Sequence, residues 1–126
     1  MKTNYKIAIA LVAGIAIGGA AIQGLHAQAK PKAYLITESE VLDAANLASY
    51  TAAVSAAQKA AGGRSYGTNR GKIVAIVGDP PKRVGISEWD SLEQVQAYHK
   101  SAAYKELVEG EKVVKINRRY VVEASK

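Results

Sequence analysis

The sequence predicts an α+β domain of the ferredoxin-like type, with the element order β-α-β-β-α-β, an antiparallel sheet and both helices on one face. Three observations support this prediction. The chain has 126 residues, which is enough for one small domain. Its β-rich segments alternate with two segments whose apolar residues recur at helical steps of three and four. It contains no Cys, so a domain of this size depends on core packing or oligomerisation instead of disulfides.

The N-terminal segment, residues 1–29, has the pattern of a signal peptide. Lys2 and Lys6 form a basic start, and residues 7–22 then run for 16 positions without a charged or polar side chain. The segment ends in Ala-Gln-Ala, a small-residue cleavage motif, so we expect cleavage after Ala29. The prediction is a periplasmic or secreted protein with one mature domain, residues 30–126. An uncleaved N-terminal anchor is the alternative.

Export changes the charge balance of the protein. Removing residues 1–29 takes away two Lys and no acid, so 15 basic and 11 acidic residues remain and the net formal charge falls from +6 to +4. The remaining Lys residues are spread along the chain, whereas a nucleic-acid surface clusters Lys and Arg among aromatic residues. Arg118 and Arg119 are the only adjacent Arg pair. We expect no nucleic-acid partner, and no membrane contact after signal cleavage.

The first half of the mature chain predicts a strand followed by a helix. Residues 33–37 (AYLIT) are β-rich and nearly all apolar, as in a buried strand. Asp43 is a good helix N-cap, and nine of the next 18 residues, 44–61, are Ala. Gly62 and Gly63 predict a left-handed C-cap. The apolar stripe of this helix comprises Leu47, Tyr50, Val54, Ala57 and Ala61.

Two further strands are predicted before the second helix. Residues 64–66 begin a β segment, residues 68–71 interrupt it with a bulge or turn, and residues 72–77 (KIVAIV) continue it. Residues 78–81 (GDPP) form a turn, since proline cannot donate to a strand ladder. Residues 83–89 form the third strand.

The second helix is predicted to be capped by Asp90 or Ser91, each of which has the spacing of a capping box. It ends at Glu109, where the following residue is Gly. Residues 119–123 form the last strand. Residues 113–116 fit either a helical turn or an earlier start of that strand.

The predicted sheet has one face that its own helices leave uncovered. Two amphipathic helices shield a single face, and the other face carries Leu, Ile, Val and Tyr side chains. Apolar strand residues require a partner. A second copy packed face to face would form a barrel-like core, so we expect a symmetric homodimer.

The mature chain contains five short motifs that occur together: Gly62-Gly63-Arg64, Gly71-Lys72-Ile73-Val74, Gly78-Asp79-Pro80-Pro81, Glu88-Trp89-Asp90-Ser91 and Ser101-Ala102-Ala103-Tyr104. These motifs resemble one known family, the domain of unknown function numbered 1330, in the dimeric α/β-barrel superfamily. The resemblance covers residues 34–123 and implies a small ferredoxin-like dimer with no established activity. Trp89 and Ala102 depart from the family pattern, which more often has Phe at the first position and Pro or Phe at the second.

Arg64 is the first candidate ligand-binding residue. It follows the glycine pair at the start of a strand, and its guanidinium group offers a bidentate fork for a carboxylate or phosphate. The structural alternative is an ion pair with Glu88 or Asp79 at the sheet edge.

Aromatic residues and a histidine complete the candidate site. Tyr66, Trp89 and Tyr98 would supply the apolar walls of a pocket, the alternative being core and dimer packing. His99, the only His of the mature chain, is a weak catalytic candidate because its pKa lies near neutrality. Its alternative is a surface position. A single His gives no metal triad, so we expect no metal site and no cofactor.

These residues lead to one functional hypothesis with two alternatives. The chain is predicted to be an exported dimer that binds a small anionic or aromatic organic ligand between its helices and its sheet. The first alternative is a cofactor-independent enzyme of the monooxygenase or isomerase type on the same scaffold. The second is a structural dimer without a ligand.

Overall fold

The computed structural model describes residues 30–108 and 112–125. Four strands form one antiparallel sheet in the order β2-β3-β1-β4, which confirms the predicted α+β, ferredoxin-like fold. The predicted signal peptide and the helix end at Glu109 lie outside the described residues. The elements are β1 Ala33–Val41, α1 Leu47–Ala60, β2 Arg64–Ser65, β3 Arg83–Trp89, α2 Leu92–Lys100, α3 Ala102–Val108 and β4 Val114–Glu123.

Strand β1 lies at the centre of the sheet, paired with β3 on one side and β4 on the other. Side chains alternate between the two faces of a strand, so Leu35 and Ile36 point to opposite faces. Leu35 is buried with residues of α2 and therefore marks the helix-side face. Ile36 is paired with Ile86 and Tyr120 and marks the opposite face, here called the open face.

The hydrophobic core lies under α2. Trp89 and Val95 are fully buried, Leu35 is 2% exposed and Tyr98 is 4% exposed. The Trp89 ring is so close to Gly63 that a Cβ there would lie 2.6 Å from ring atom Cζ2. Any larger residue at this position would collide with the core, so the glycine at the end of α1 is required by packing.

The end of α1 agrees with the sequence. Gly62 has a left-handed φ of 99°, and the amide of Gly63 donates to the carbonyl of Gln58 over 2.8 Å. At the other end, Asp43 accepts a hydrogen bond from the amide of Asn46 over 3.2 Å, as a cap would. The residues between them form a turn, and the helix begins three positions later than expected, at Leu47.

Residues 72–77 are not a strand, which corrects the sequence-based prediction. The hydroxyl of Thr68 donates to the carbonyl of Val84 over 2.8 Å and accepts from the amide of Ile86 over 3.0 Å. These are edge groups of β3 that a longer β2 would have paired, so β2 ends after Ser65. The apolar run is left outside the sheet, and Val77 is 93% exposed.

The second predicted helix is divided in two at Ser101, which has an extended backbone with ψ 153°. Its hydroxyl donates to the carbonyl of Tyr98 over 2.6 Å and accepts from the amide of Tyr104 over 3.2 Å. Ser101 thus closes α2 and caps α3. The ambiguous segment before the last strand is resolved as strand from Val114 onward.

Among residues 30–108 and 112–125, no helix has the length and apolar character that a membrane span requires.

Candidate functional site

The helix-side face of the sheet has an apolar half and a polar half. The apolar half lies under α2 and forms the core. On β1 the side chains change from Leu35 to Thr37, and on β4 they change from Val121 to Arg119 in the same row of the register. On β3 the change comes one row earlier, at Ser87, which pairs with Leu35. The polar half comprises Thr37, Ser39, Arg83, Gly85, Ser87 and Arg119, with the apolar Ile116 opposite Ser39.

Helix α1 covers the polar half without sealing it. None of its residues is buried, in contrast to α2. A cavity of about 50 Å³ remains between α1 and the sheet, and both Arg83 and Arg119 line it. We call this space the arginine cleft.

A smaller cavity of about 10 Å³ adjoins the arginine cleft and is lined by His99 and Tyr104. Arg119 and Tyr50 line both cavities, so the two cavities are neighbours. Beyond it, an open groove of about 550 Å³ shares Tyr50 and Leu107 with the small cavity. The groove therefore adjoins the small cavity.

Arg83 links β3 to two other elements through hydroxyl groups. Its Nη1 donates to Ser39 Oγ on β1 and its Nη2 to Thr51 Oγ1 on α1, both over 3.2 Å. Burial lowers the pKa of Arg83, and the nearby Arg70 contributes to the lowering. The guanidinium group is thus partly desolvated and held by neutral partners.

Arg119 occupies a similar position on β4. Its Nε donates to Thr37 Oγ1 over 3.0 Å and its Nη1 donates to the Tyr104 hydroxyl. Its Cζ lies 5.6 Å from the centroid of the Tyr104 ring, within cation–π range. In the part of the chain that the structure describes, neither Arg119 nor Arg83 forms a salt bridge with a carboxylate.

His99 lies on α2 beside the small cavity. Its Nδ1 is 2.8 Å from the carbonyl oxygen of Val95, which can only accept, so Nδ1 carries a proton. Its Nε2 is buried and has no hydrogen-bond partner among the described residues. Burial lowers the pKa of His99, and the charge of Arg119 lowers it further, while the Val95 carbonyl opposes both. The His99 side chain is partly buried.

Arg64 and Tyr66, two of the predicted site residues, lie together on the open face at the sheet edge. Arg64 forms ion pairs with Glu88 over 2.7 Å and with Asp90 over 3.0 Å. The pair with Glu88 is one that the structural alternative predicted. The Tyr66 hydroxyl donates to Glu88. Hydrogen bonds from Tyr66, Lys32 and Arg64 lower the pKa of Glu88 to about 2.

The other two predicted ligand-binding residues lie in the core. Trp89 is fully buried, and its indole Nε1 donates to Ser87 Oγ over 2.9 Å. Tyr98 packs against it with ring centroids 5.2 Å apart, and its edge borders the small cavity beside His99. The structure does not bring Arg64, Tyr66, Trp89 and Tyr98 into one pocket, and none of the four lines the arginine cleft.

The sequence-based prediction did not include the arginines of the cleft, although the sequence contains a signal for Arg119. Arg118 and Arg119 are adjacent, so strand alternation places them on opposite faces. Arg118 pairs with Glu38 on the open face, and Arg119 enters the cleft. The pattern of Thr37, Arg83 and Arg119 at helix-side positions becomes visible only when the strand register is known.

Comparison with known proteins gives a family and a fold. A family model described as a domain of unknown function, DUF1330, matches residues 32–125. The chain is similar to the crystal structure of a protein of unknown function from Rhodopseudomonas palustris, with 13% identity, a TM-score of 0.58, and coverage of 84% of this chain and 92% of that one. The methylated form of that protein is similar at 13% identity, with a TM-score of 0.53 and coverage of 84% and 90%. No curated protein matches the chain.

The position of His99 predicts a pH-dependent stability. Its pKa is lower in the folded chain than its ordinary value of 6.5, so the unfolded chain binds a proton first as the pH falls. The free energy of unfolding should therefore decrease below about pH 6.5, by at most about 1.4 kcal/mol per pH unit, until the folded pKa is reached. Urea unfolding at several pH values measures this slope.

His99→Phe is the matched variant for this measurement, because it keeps an aromatic ring without a titrating group. The variant should have a flatter stability profile between pH 6.5 and 5 than the wild type. Equal slopes for the two proteins would show that His99 titrates alike in the folded and unfolded states.

Proposed function

We propose that this chain, which belongs to the DUF1330 family of domains of unknown function, is an exported homodimer that binds a small anionic organic ligand in the arginine cleft. One observation carries the proposal of binding. Arg83 and Arg119 both line the same cavity, and hydroxyl groups are the partners that hold them there.

An anion is the ligand that this arrangement favours. A partly buried charge is costly unless it is paired, and hydroxyl groups carry no net charge to compensate it. Each guanidinium group has five N–H donors. The hydrogen bonds described above use two donors of Arg83 and two donors of Arg119. The remaining donors suit a carboxylate or phosphate, which a guanidinium group binds through paired hydrogen bonds.

The volume of the cleft limits the size of the ligand. One water requires about 10–15 Å³ of such space, so a cavity of about 50 Å³ holds a ligand of a few non-hydrogen atoms. A carboxylate of two to four carbons suits this volume better than an aromatic acid does. The cavity therefore favours the anionic class of ligand over the aromatic class.

Binding of propionate and inorganic phosphate to purified protein tests the cleft. Arg83→Met and Arg119→Met each remove charged donors while retaining an apolar stem, and each should weaken binding of the anion that the wild type prefers by about tenfold to a hundredfold. Isothermal titration calorimetry, or chemical-shift titration for weak binding, gives the affinities.

Arg64→Met is the matched control, because it removes the same charge on the opposite face of the sheet. It should leave anion binding close to that of the wild type. The proposed site is wrong if this control weakens binding as much as the cleft variants do, or if the wild type binds neither anion at millimolar concentration.

The open face supports the proposal of a homodimer. Six apolar side chains of β1, β3 and β4 lie on it, and both Tyr120 and Val122 are more than 40% exposed. Contiguous exposed apolar patches mark interaction surfaces, and a second copy of the chain offers the same face in return. The six residues are Tyr34, Ile36, Val84, Ile86, Tyr120 and Val122.

Substitution at the centre of the open face tests the dimer. Ile36→Glu places a carboxylate between Ile86 and Tyr120, and burying this charge at an interface would be costly. We expect the wild type to sediment as a dimer at micromolar concentration and the variant as a monomer. Ala56→Glu, on the exposed side of α1, adds the same charge and should remain dimeric.

Sedimentation velocity measures the oligomeric state, and circular dichroism shows whether each variant is folded. A monomeric wild type at micromolar concentration would refute the dimer.

The pattern of residues 1–29 supports the proposal of export, and the family match begins after it, at residue 32. Expression of the full chain in a Gram-negative host should yield periplasmic protein whose N-terminus is Lys30, as read by mass spectrometry. Ala29→Leu enlarges a residue of the cleavage motif and should block processing. An intact wild-type chain in the cytoplasm would contradict export.

A further inference from the structure

His99 has an acceptor atom that the fold leaves unused. Of the buried side-chain nitrogen and oxygen atoms in the described residues, only His99 Nε2 has no hydrogen-bond partner. A buried polar atom without a partner costs about 1–3 kcal/mol of stability. No described group of the folded chain compensates this cost by a hydrogen bond to Nε2. A binding partner is therefore the physical explanation to test.

The ring orientation determines what Nε2 can do. Because Nδ1 donates its proton to the Val95 carbonyl, the neutral ring has its lone pair on Nε2. Burial favours that neutral form, since it lowers the pKa of the ring. In this form Nε2 accepts a hydrogen bond and is the atom to which a ligand can donate.

The surroundings of the His99 ring place it next to the proposed anion site. The His99 ring lies 4.7 Å from the Tyr104 ring, measured between centroids, and Tyr104 in turn contacts Arg119. Arg119 lines both the small cavity of His99 and the arginine cleft. A ligand held by Arg119 therefore lies beside the cavity that His99 borders.

The small cavity limits what can reach Nε2. Its volume of about 10 Å³ is at the lower limit for one water. A single hydroxyl group covalently attached to a ligand in the larger cavity fits this space better than an independent molecule does.

We propose that the ligand of the arginine cleft is a hydroxy acid of two to four carbons, whose carboxylate binds Arg83 and Arg119 and whose hydroxyl donates to His99 Nε2. This inference rests on the proposed function and specifies its ligand class. Selectivity for hydroxy acids over simple acids then follows from the unpaired Nε2, because an acid without the hydroxyl leaves this atom without a hydrogen bond. A site built to pair a substrate hydroxyl discriminates against the analogue that lacks it.

Three acids of three carbons test the inference on the full chain. Lactate and 3-hydroxypropionate carry a hydroxyl at different positions, and propionate carries none. At least one hydroxy acid should bind about tenfold more tightly than propionate. Equal affinities of all three acids would overturn the inference, although the anion site would stand.

Variants at His99 test which residue provides the selectivity. In His99→Phe the affinity ratio of hydroxy acid to propionate should fall to about one, because the ring is kept and the acceptor is lost. His99→Gln offers an amide oxygen near the position of Nε2 and should recover part of the ratio. A ratio that survives in His99→Phe would remove His99 from the site.

A spectroscopic measurement on the wild type does not depend on the folding of any variant. The ¹⁵N chemical shift of His99 Nε2 should move on addition of the preferred hydroxy acid, as expected for an acceptor that gains a hydrogen bond, and should change much less with propionate. An unchanged shift at saturation would contradict the proposed contact. Failure of every acid to bind would instead refute the anion site itself.

Discussion

The structure depends on how polarity is divided along the helix side of one small sheet. Ala33 and Leu35 give way to Thr37 and Ser39 along β1. Strand β4 changes to Arg119 in the same row of the register, and β3 changes one row earlier, at Ser87. Hydrophobic burial can fix a helix only over the apolar half. Helix α2 is therefore anchored by buried residues, while α1 rests over hydroxyl and guanidinium groups and leaves a cavity. The cleft is a direct result of this division.

The apolar half holds the domain together with few residues. Trp89 fills the centre of the core, Gly63 allows its ring to approach the end of α1, and Ser87 satisfies its indole N–H. The aromatic cluster then continues through Tyr98 to Tyr104, with ring centroids 5.4 Å apart. Tyr104 contacts Arg119 on the polar side. The core and the cleft are thus joined by one tyrosine, so packing positions a guanidinium group.

The sequence was sufficient for the fold and insufficient for the site. Periodicity and glycine placement predicted the element order, since they report local backbone preferences. The arginine cleft depends on which residues of separate strands lie opposite one another, and Arg83 and Thr37 become neighbours only through pairing with β1. The place of Arg64 after two glycines suggested a ligand-binding role, but its guanidinium group forms an ion pair with Glu88. Residues 72–77 have strong β propensity, but the Thr68 hydroxyl pairs with the edge groups of β3 that an extended β2 would have used.

The loss of residues 72–77 from the sheet has a consequence for solubility. An exposed β-branched run next to a two-residue edge strand resembles the segments that nucleate cross-β aggregates. The chain limits this hazard with gatekeeper residues on both sides. Lys72 brings a charge at one end, and Asp79 is followed by two prolines at the other, which cannot donate to a growing ladder. The flanking residues thus oppose the addition of further strands to this exposed run.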